Sequence, residues 1–401
     1  MIFVSQSQSG ERVQYRDGKR RLWLLSVAAP SVPLISVILM AATGNVLWAL
    51  FPVAVYFVLV PLLDLLIGED PHNPPDDVVE ALAGDNYYRL LLFASIPVFY
   101  ASFFAAAWAV GTLPLPLWAF LALTLGTGAS SGAGLTVGHE LGHKPNRVDQ
   151  WGAKIINALT GYGHFCIEHN RGHHVMVATP EDPASARLGE SVYSFALREL
   201  PGTAVRGWAM EKERLGKKGL AFWVWRNDLL QAYAITFVIA GTLMWAFGWI
   251  MLPFLLLHHF IGWLQLTQAN YVEHYGLKRE KKANGRYAPV EPRHSWNTNH
   301  IVSNLMLFHL QRHSDHHANP LRPYQALRNF SELPRLPSGY PGSYALALMP
   351  PLWFWVMDRK VMEWAGGDLA KINVDPRRVK SGTVYFSSTM AAAKAPDVAE
   401  K

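Results

Sequence analysis

The chain has 401 residues, of which half are hydrophobic and only 16% charged, whereas soluble domains usually carry roughly 25% charged residues. Its single cysteine, Cys166, excludes an internal disulfide and any zinc or iron–sulfur site built from several cysteines. Residues 1–21 are polar, so they do not form the short apolar core of a secretory signal peptide.

Three long stretches lack Asp, Glu, Lys and Arg, namely residues 22–63, 90–138 and 229–272. Each is about twice the roughly 20 residues that a helix needs to cross the hydrocarbon of a bilayer. Turn-forming residues interrupt each stretch near its middle, at Gly44-Asn45, at 111–116 and at 248–253. We therefore predict three transmembrane hairpins, or six helices, because helices satisfy their own backbone hydrogen bonds in lipid.

Lysine and arginine predict the orientation of these helices. Several precede the first stretch, many lie at 138–228 and after residue 277, and the three hairpin tips carry none. The positive-inside rule then places both termini and both long polar segments in the cytoplasm. This distribution explains the net charge of +6 without a nucleic-acid partner.

The predicted fold is an all-α integral membrane protein with a cytoplasmic helical cap that holds a polyhistidine di-metal site. A cytoplasmic N-terminal segment and two cytoplasmic histidine-rich regions flank the membrane helices, and a disordered tail or linker follows. The predicted divisions are 1–21, transmembrane helices 1–4 at 22–137, the first histidine-rich region at 138–228, helices 5 and 6 at 229–272, the second region at 273–380, and the tail at 381–401.

Thirteen of the sixteen histidines lie in the two histidine-rich regions, and nine of them are clustered. The nine are His139, His143, His169, His173, His174, His274, His313, His316 and His317. Neutral imidazole is a good ligand for iron, zinc, copper or nickel. Nine ligands are too many for one ion, which takes roughly four to six, and are reasonable for two.

Spacing suggests which imidazoles converge. Residues i and i+4 share a helix face, so we expect each of the pairs His139/His143, His169/His173 and His313/His317 to meet at one ion. The neighbours His174 and His316 point in another direction and are expected to serve a second ion.

Carboxylates beside the clusters are candidates to accept a hydrogen bond from the second nitrogen of a ligating histidine, or to bind metal directly. They are Glu140, Glu168, Asp182, Glu273 and Asp315. The unpaired His164, His294, His300 and His309 are interpreted as outer-sphere or structural. His72, His258 and His259 are interpreted as ordinary histidines, although a functional or core role stays open for the last two because they lie within an apolar crossing.

Two other interpretations compete with oxidation. His139-Glu140-Leu-Gly-His143 matches the H-E-x-x-H pattern of an intramembrane zinc metalloprotease with Glu140 as general base, but a protease uses three protein ligands and leaves six clustered histidines unexplained. A metal transporter or store requires ligands inside the crossings, where only His258 and His259 lie. A pair of irons in a nitrogen-rich shell instead favours oxidative chemistry on a lipid-soluble substrate.

Four motifs carry a family resemblance: Gly-His-Glu-Leu-Gly-His-Lys at 138–144, Glu-His-Asn-Arg-Gly-His-His at 168–174, Asn-Tyr-Val-Glu-His-Tyr-Gly at 270–276 and Leu-Gln-Arg-His-Ser-Asp-His-His at 310–317. With them, the chain resembles the bacterial membrane alkane 1-monooxygenases over residues 20–375. This family lies within the membrane fatty acid desaturase/hydroxylase superfamily. A related membrane desaturase or fatty-acid hydroxylase remains an alternative.

The resemblance implies two non-haem iron ions held by the same nine histidines, in a multi-pass protein of the bacterial inner membrane. It implies that one oxygen atom of O2 is inserted into the terminal C–H bond of a medium-chain n-alkane, giving a primary alcohol and water. It also implies that a rubredoxin, reduced by an NADH-dependent rubredoxin reductase, supplies the electrons. That rubredoxin is either separate or fused after residue 401, and arginine and lysine near the clusters are expected to form its dock.

The resemblance further places Tyr56 at a position similar to a bulky residue that gates the substrate tunnel. An ordinary packing role for this aromatic side chain is the alternative.

Overall fold

The computed structural model describes residues 1–7 and 9–377, so the predicted tail at 381–401 lies outside the described part. Within the described chain, the regular secondary structure is helical apart from a short N-terminal hairpin and isolated bridges. In that hairpin, strand β1 (Ile2–Gln6) pairs antiparallel with β2 (Arg12–Arg16), a feature that we did not predict.

Five helical segments are long and apolar enough to cross a membrane. They are Leu22–Thr43, Val46–Ile67, Asn86–Thr112, Leu117–Gly142 and the 47-residue Asp228–His274. The longest is more than twice the length that one crossing requires.

The predicted hairpin tips coincide with helix breaks. Gly44, in a left-handed conformation with φ of 67°, ends the first span, and an extended Leu113 ends the third. Gly248, with φ of 76°, breaks the longest span into two helices. Thr236 and His259, on opposite sides of that break, both approach Gly161, so these two helices run side by side in opposite directions.

The α-helices are α1 (Leu25–Ala28), α2 (Val32–Thr43), α3 (Phe51–Ala54), α4 (Val60–Ile67), α5 (Val79–Ala83), α6 (Asn86–Thr112), α7 (Leu117–Ala133), α8 (Leu135–Gly142), α9 (Arg147–Ala158), α10 (Phe165–Glu168), α11 (His174–Met176), α12 (Val192–Gly216), α13 (Asp228–Phe247), α14 (Met251–His274), α15 (Ile301–Met306), α16 (His313–Ala318), α17 (Tyr340–Ala347) and α18 (Pro350–Trp364). Short 3₁₀ turns lie at Leu22–Leu24, Ala29–Ser31, Val46–Leu50, Asp76–Val78, Gly248–Ile250, Pro292–His294, Tyr324–Ala326 and Leu369–Lys371. Two π-helical turns lie at Val55–Leu59 and His169–His173.

The centre of the bundle is the packing of α7 against α14. A Cβ at Gly128 would lie 2.8 Å from the Cβ of Ile261, so glycine permits the close approach of the two helices. This contact aligns α8, which continues α7, with the last turns of α14. His139 and His274 therefore both stand at the same end of the bundle, on the helices that form its core.

The polar segments cover this end. A second hydrophobic core, containing the buried Tyr271, Trp296 and Trp353, joins the last turns of α14 to α18 and to the loop before α15. Because this core includes residues of α14, the histidine-bearing segments pack directly against the helical bundle.

Candidate metal centre

The structure brings all nine clustered histidines together in two groups. His139, His143, His169, His174 and His316 form a five-histidine group, and His173, His274, His313 and His317 form a four-histidine group. In each group the potential ligand atoms lie within 4.8 Å of one another. Four separate parts of the chain contribute, which is why only folding creates the site.

The inward-facing atoms are the Nε2 nitrogens. His169 and His174 approach at 3.0 Å, His174 and His316 at 3.1 Å, and His313 and His317 at 2.8 Å. The Nε2 atoms of four more histidines are buried without a hydrogen-bond partner, namely His139, His143, His173 and His274. Buried polar atoms without partners are rare and costly, and a cation in each group satisfies them, so the donor set fits two metal ions.

One predicted pairing is wrong. His169 and His173 belong to different groups, whereas His169 and His174 lie together. The segment His169–His173 is a π-helical turn, in which each turn holds about one residue more than an α-helix. The wider turn places residue i+5, not i+4, above His169. Such π-turns are frequent at functional sites.

The other two predicted pairs are confirmed as neighbours. His139 and His143 share the five-histidine group, and His313 and His317 share the four-histidine group. His316 lies with His139 and His143 in the five-histidine group, whereas its neighbour His317 belongs to the four-histidine group. Two short segments, at 169–174 and 313–317, therefore supply histidines to both groups, so the geometry of one group depends on that of the other.

Burial favours the metal-binding form of these rings. Burial lowers the pKa of His143 to about 3, and it also lowers the pKa of His169, His174, His316 and His317 well below the ordinary value. These imidazoles are therefore neutral at physiological pH, and neutral imidazole is the form that binds metal.

Asp182 holds His173 in place. Its Oδ2 lies 2.8 Å from Nδ1 of His173, and both side chains are buried. Although burial opposes the charge, the Asp182 carboxylate raises the pKa of His173 above its ordinary value. Because Asp182 accepts a hydrogen bond from Nδ1–H of His173, Nε2 of the ring is left free to bind a metal ion.

Arg206 is a residue that sequence analysis missed. Its guanidinium contacts Glu168 and also donates to Asp182 Oδ1 at 2.7 Å. One cation from α12 thus compensates two buried carboxylates behind the four-histidine group. The Glu168 carboxylate accepts its hydrogen bonds from Arg206 and not from a clustered histidine, within the described residues.

Glu273, in contrast, directly contacts a clustered histidine. Its Oε2 lies 3.1 Å from Nε2 of His313, and Tyr340 donates a hydrogen bond to its other oxygen. Of the remaining predicted carboxylates, Glu140 pairs with Lys144 at 2.9 Å, and Asp315 accepts from Asn319 and Arg322. The contacts of Glu140 and Asp315 stabilise the helical segments that carry the clustered histidines.

The unpaired histidines separate into different environments. The carbonyl oxygen of His294 accepts from Nδ1 of His274 at 3.2 Å, so this residue orients a ligand. His164 contacts Tyr233, His300 contacts Thr298, and His309 contacts the carbonyl of Tyr324. Exposed His72 pairs with Asp70. Inside the bundle, His258 bonds to Ser131 and to His259.

Glu199 of α12 is a second buried group that the motifs did not reveal. Its carboxylate accepts from Thr267 at 2.8 Å and from the amide of Asn270 at 3.1 Å. Burial raises the pKa of Glu199 to about 7. Because Asn270 lines the cavity described next, Glu199 fixes the position of a polar group in the cavity wall.

A cavity of about 200 Å³ extends from both histidine groups into the bundle. His139, His169 and His313 line it, and Ala29, Tyr56 and Val60 of the first two spans do so as well. The remaining lining is mostly apolar. The hydroxyl of Tyr56 donates to the carbonyl of Ala29 at 2.8 Å and contacts Ser130 at 3.3 Å. The cavity is thus suited to an apolar ligand that approaches the histidine groups from within the bundle.

Comparison with known proteins gives a consistent result. The family model described as fatty acid desaturase matches residues 114–346. Alkane 1-monooxygenase 1 of Alcanivorax borkumensis is 51% identical over 362 residues, which is 90% of each chain. Alkane 1-monooxygenases of Ectopseudomonas oleovorans and Pseudomonas putida are each 50% identical, over 94% and 90% of both chains.

Two independent features therefore coincide: histidine groups at the head of an apolar cavity in a helical bundle, and half-identical relatives over nine-tenths of the chain. The chain belongs to the alkane 1-monooxygenase family of membrane oxidoreductases.

Proposed function

We propose that the protein hydroxylates the terminal methyl group of medium-chain n-alkanes, using O2 and two iron ions held by the nine histidines. One observation carries the proposal: the apolar cavity is lined by histidines of both groups, so a bound chain meets the paired metal sites. When bound, the two irons supply the activation of O2.

The residues of the chain itself bind, orient and shield the substrate. Apolar side chains such as Phe57, Leu266 and Leu310 line the cavity, which favours an alkane over water. Asp182 and the His294 carbonyl fix ring orientation in the four-histidine group. Glu273 lines the cavity beside Nε2 of His313, so its carboxylate is a polar group at the proposed reaction site.

We further propose six crossings, with the 47-residue span Asp228–His274 folded at Gly248 into two. Both termini and the histidine groups then face the cytoplasm of the bacterial inner membrane, in agreement with the lysine and arginine distribution. An alkane dissolved in lipid enters the bundle, while O2 and electrons reach the metals from the polar side.

Electrons are proposed to come from a rubredoxin that an NADH-dependent rubredoxin reductase reduces. A monooxygenase consumes two external electrons in each turnover, and the family resemblance implies this carrier as their source. The rubredoxin is either a separate protein or a domain fused after residue 401.

The test is a reconstituted assay with the detergent-purified chain, rubredoxin, its reductase, NADH and octane under ¹⁸O2. We expect 1-octanol with one ¹⁸O atom per molecule from protein that contains two irons. An alkene product would instead support a desaturase, and peptide cleavage by a one-zinc protein would support the metalloprotease. Iron-loaded protein that consumes NADH without forming 1-octanol would contradict the proposal.

A further inference from the structure

Two glutamines of α14 line the apolar cavity without a hydrogen bond. Gln265 and Gln268 are three residues apart and therefore share one side of the helix. Gln268 is only 6% exposed. Within the described chain, neither side-chain amide forms a hydrogen bond with another residue. Buried amides without partners are costly, so this pair is suited to a ligand that carries a polar group.

The rest of the cavity wall shows that these free amides are not a general property of its polar residues. Four other polar side chains of the wall each form a hydrogen bond within the protein, namely Ser130, Thr136, Asn270 and Ser303. A Cβ at Gly132 of α7 would lie 2.7 Å from Cγ of Gln265, so glycine leaves room for the Gln265 side chain beside that helix.

The pair lies along the path from the histidine groups towards the bilayer. Gln268 precedes His274 by six residues, which is roughly 9 Å along the helix axis, and Gln265 lies about one turn further from the metal centre. Phe57 of the second span and Leu348 also line the cavity and are 42% and 45% exposed, so the cavity reaches the outer surface of the bundle there. A chain whose methyl group lies at the histidines therefore extends past the two amides.

An alkane and its primary alcohol differ in what they offer to these amides. An alkane covers them with methylene groups and leaves them unpaired, which costs affinity. The hydroxyl of the alcohol both donates to an amide carbonyl and accepts from an amide NH2. Because the tail of the chain points towards the bilayer, an alcohol that leaves tail first draws its hydroxyl past Gln268 and then past Gln265.

We propose that Gln268, assisted by Gln265, binds the hydroxyl group of the primary alcohol as the product moves from the metal centre to the bilayer. This inference rests on the proposed function, since it concerns the product of the same reaction. The amides give the hydroxyl a partner on a path that is otherwise mostly apolar, where an unpaired hydroxyl would be costly. No covalent bond is made or broken in this step.

The first experiment measures equilibrium binding of ¹⁴C-labelled 1-octanol and octane to the purified protein in lipid nanodiscs, with the uptake by empty nanodiscs subtracted. Gln268→Met keeps the approximate length of the side chain but removes the amide. We expect it to raise the Kd of 1-octanol about tenfold, the order of one hydrogen bond, and to leave the Kd of octane equal or lower. Gln265→Met should shift the two Kd values in the same direction, by roughly threefold for 1-octanol.

Gln231→Met is the matched control. Gln231 is also largely buried on a membrane helix, but it bonds to Lys154 and to the carbonyl of Trp225, away from the cavity. The ratio of its two Kd values should match that of the wild type. An unchanged Kd of 1-octanol in both cavity variants, or an equal loss of affinity for both ligands, would overturn the inference.

Rapid-quench kinetics test the role in product release. In Gln268→Met the first turnover of octane should keep the wild-type rate, whereas later turnovers should slow by roughly threefold or more because the alcohol leaves more slowly. A first turnover that slows as much as the later ones would overturn the release role. The binding experiment needs no turnover, so an alcohol preference that depends on Gln268 in a protein that forms no 1-octanol would reject the proposed function and retain the alcohol site.

Discussion

Asp182 and His173 form the tightest buried link between the metal centre and the rest of the fold. The carboxylate lies 2.8 Å from Nδ1 of the ring, with 0% and 1% of the two side chains exposed. Asp182 also bonds to Ser185 and Arg206, so its own position is fixed from two sides. Through Arg206 and Asp182, helix α12 is therefore connected to His173 of the four-histidine group.

We predict that Asp182→Asn weakens metal binding at the four-histidine site about 10- to 100-fold, as loss of an outer hydrogen-bond partner usually does. The amide preserves shape but removes the negative charge that stabilises the ligand. Metal content measured after dialysis against a graded chelator checks this. Glu181→Gln, at the exposed neighbouring residue that bonds Tyr287, is the control and should retain both metals. Full metal retention in Asp182→Asn would exclude a supporting role for this carboxylate.

The two-group assignment predicts separable metal losses. His143→Ala should empty the five-histidine site, and His317→Ala should empty the four-histidine site, leaving about one iron per chain in each variant. Mössbauer spectra should show that the two variants retain different iron environments. His300→Ala, at a histidine that contacts Thr298 away from both groups, should keep two irons. Identical remaining spectra in the two ligand variants would disprove the partition.

The sequence was sufficient to find the nine histidines but not to divide them between ions. Ligand spacing correctly paired His139 with His143 and His313 with His317, because both pairs lie on ordinary α-helical turns. It failed at His169 because the π-turn that follows adds a residue. Single π-helical turns are rare and occur often at functional sites, and the residue spacing alone did not reveal this one.

Tyr56 is predicted to limit the length of the bound substrate. Its ring lines the cavity at the side of the first two spans, so Tyr56→Ala should lengthen the cavity and shift the product profile towards longer alkanes several-fold. Competition among alkanes of increasing length, analysed by gas chromatography, measures this shift. Tyr56→Phe removes only the hydroxyl that contacts Ala29 and Ser130 and should keep the wild-type profile. An unchanged profile in Tyr56→Ala would leave Tyr56 as a packing residue.

We predict that Glu199 makes a pH-dependent contribution to the free energy of unfolding. Burial raises its pKa from 4.5 to about 7 in the folded protein. The folded state therefore binds the proton more tightly than the unfolded state, and this contribution is present below pH 4.5 and lost as pH rises to 7. Glu199→Gln should remove the loss, which is at most about 3 kcal/mol. The Tm difference between variant and wild type should thus grow from pH 5 to pH 8.

The matched control for this prediction is Glu213→Gln, on the same helix but exposed and paired with Lys217. It should follow the wild-type pH profile. A Glu199→Gln variant whose Tm stays below that of the wild type by the same amount at every pH would show that Glu199 is ionised throughout and serves mainly as an acceptor for Thr267 and Asn270.

Other parts of the site were beyond sequence reasoning for a different reason. Arg206 and Glu199 lie on α12, a helix without any clustered histidine, and they reach the centre only because α12 packs against α10 and α14. Glu273 was identified by its position next to His274, but its place beside Nε2 of His313 depends on Tyr340, a residue distant in sequence. Long-range packing decides these contacts, and local patterns do not encode it.

The central claim is that nine imidazoles hold two iron ions. Iron and zinc analysis of the purified protein, combined with X-ray absorption at the iron edge, tests it most directly. We expect two irons per chain and a protein-derived shell composed of nitrogen. A single zinc per chain, or a first shell dominated by carboxylate oxygen, would contradict the account.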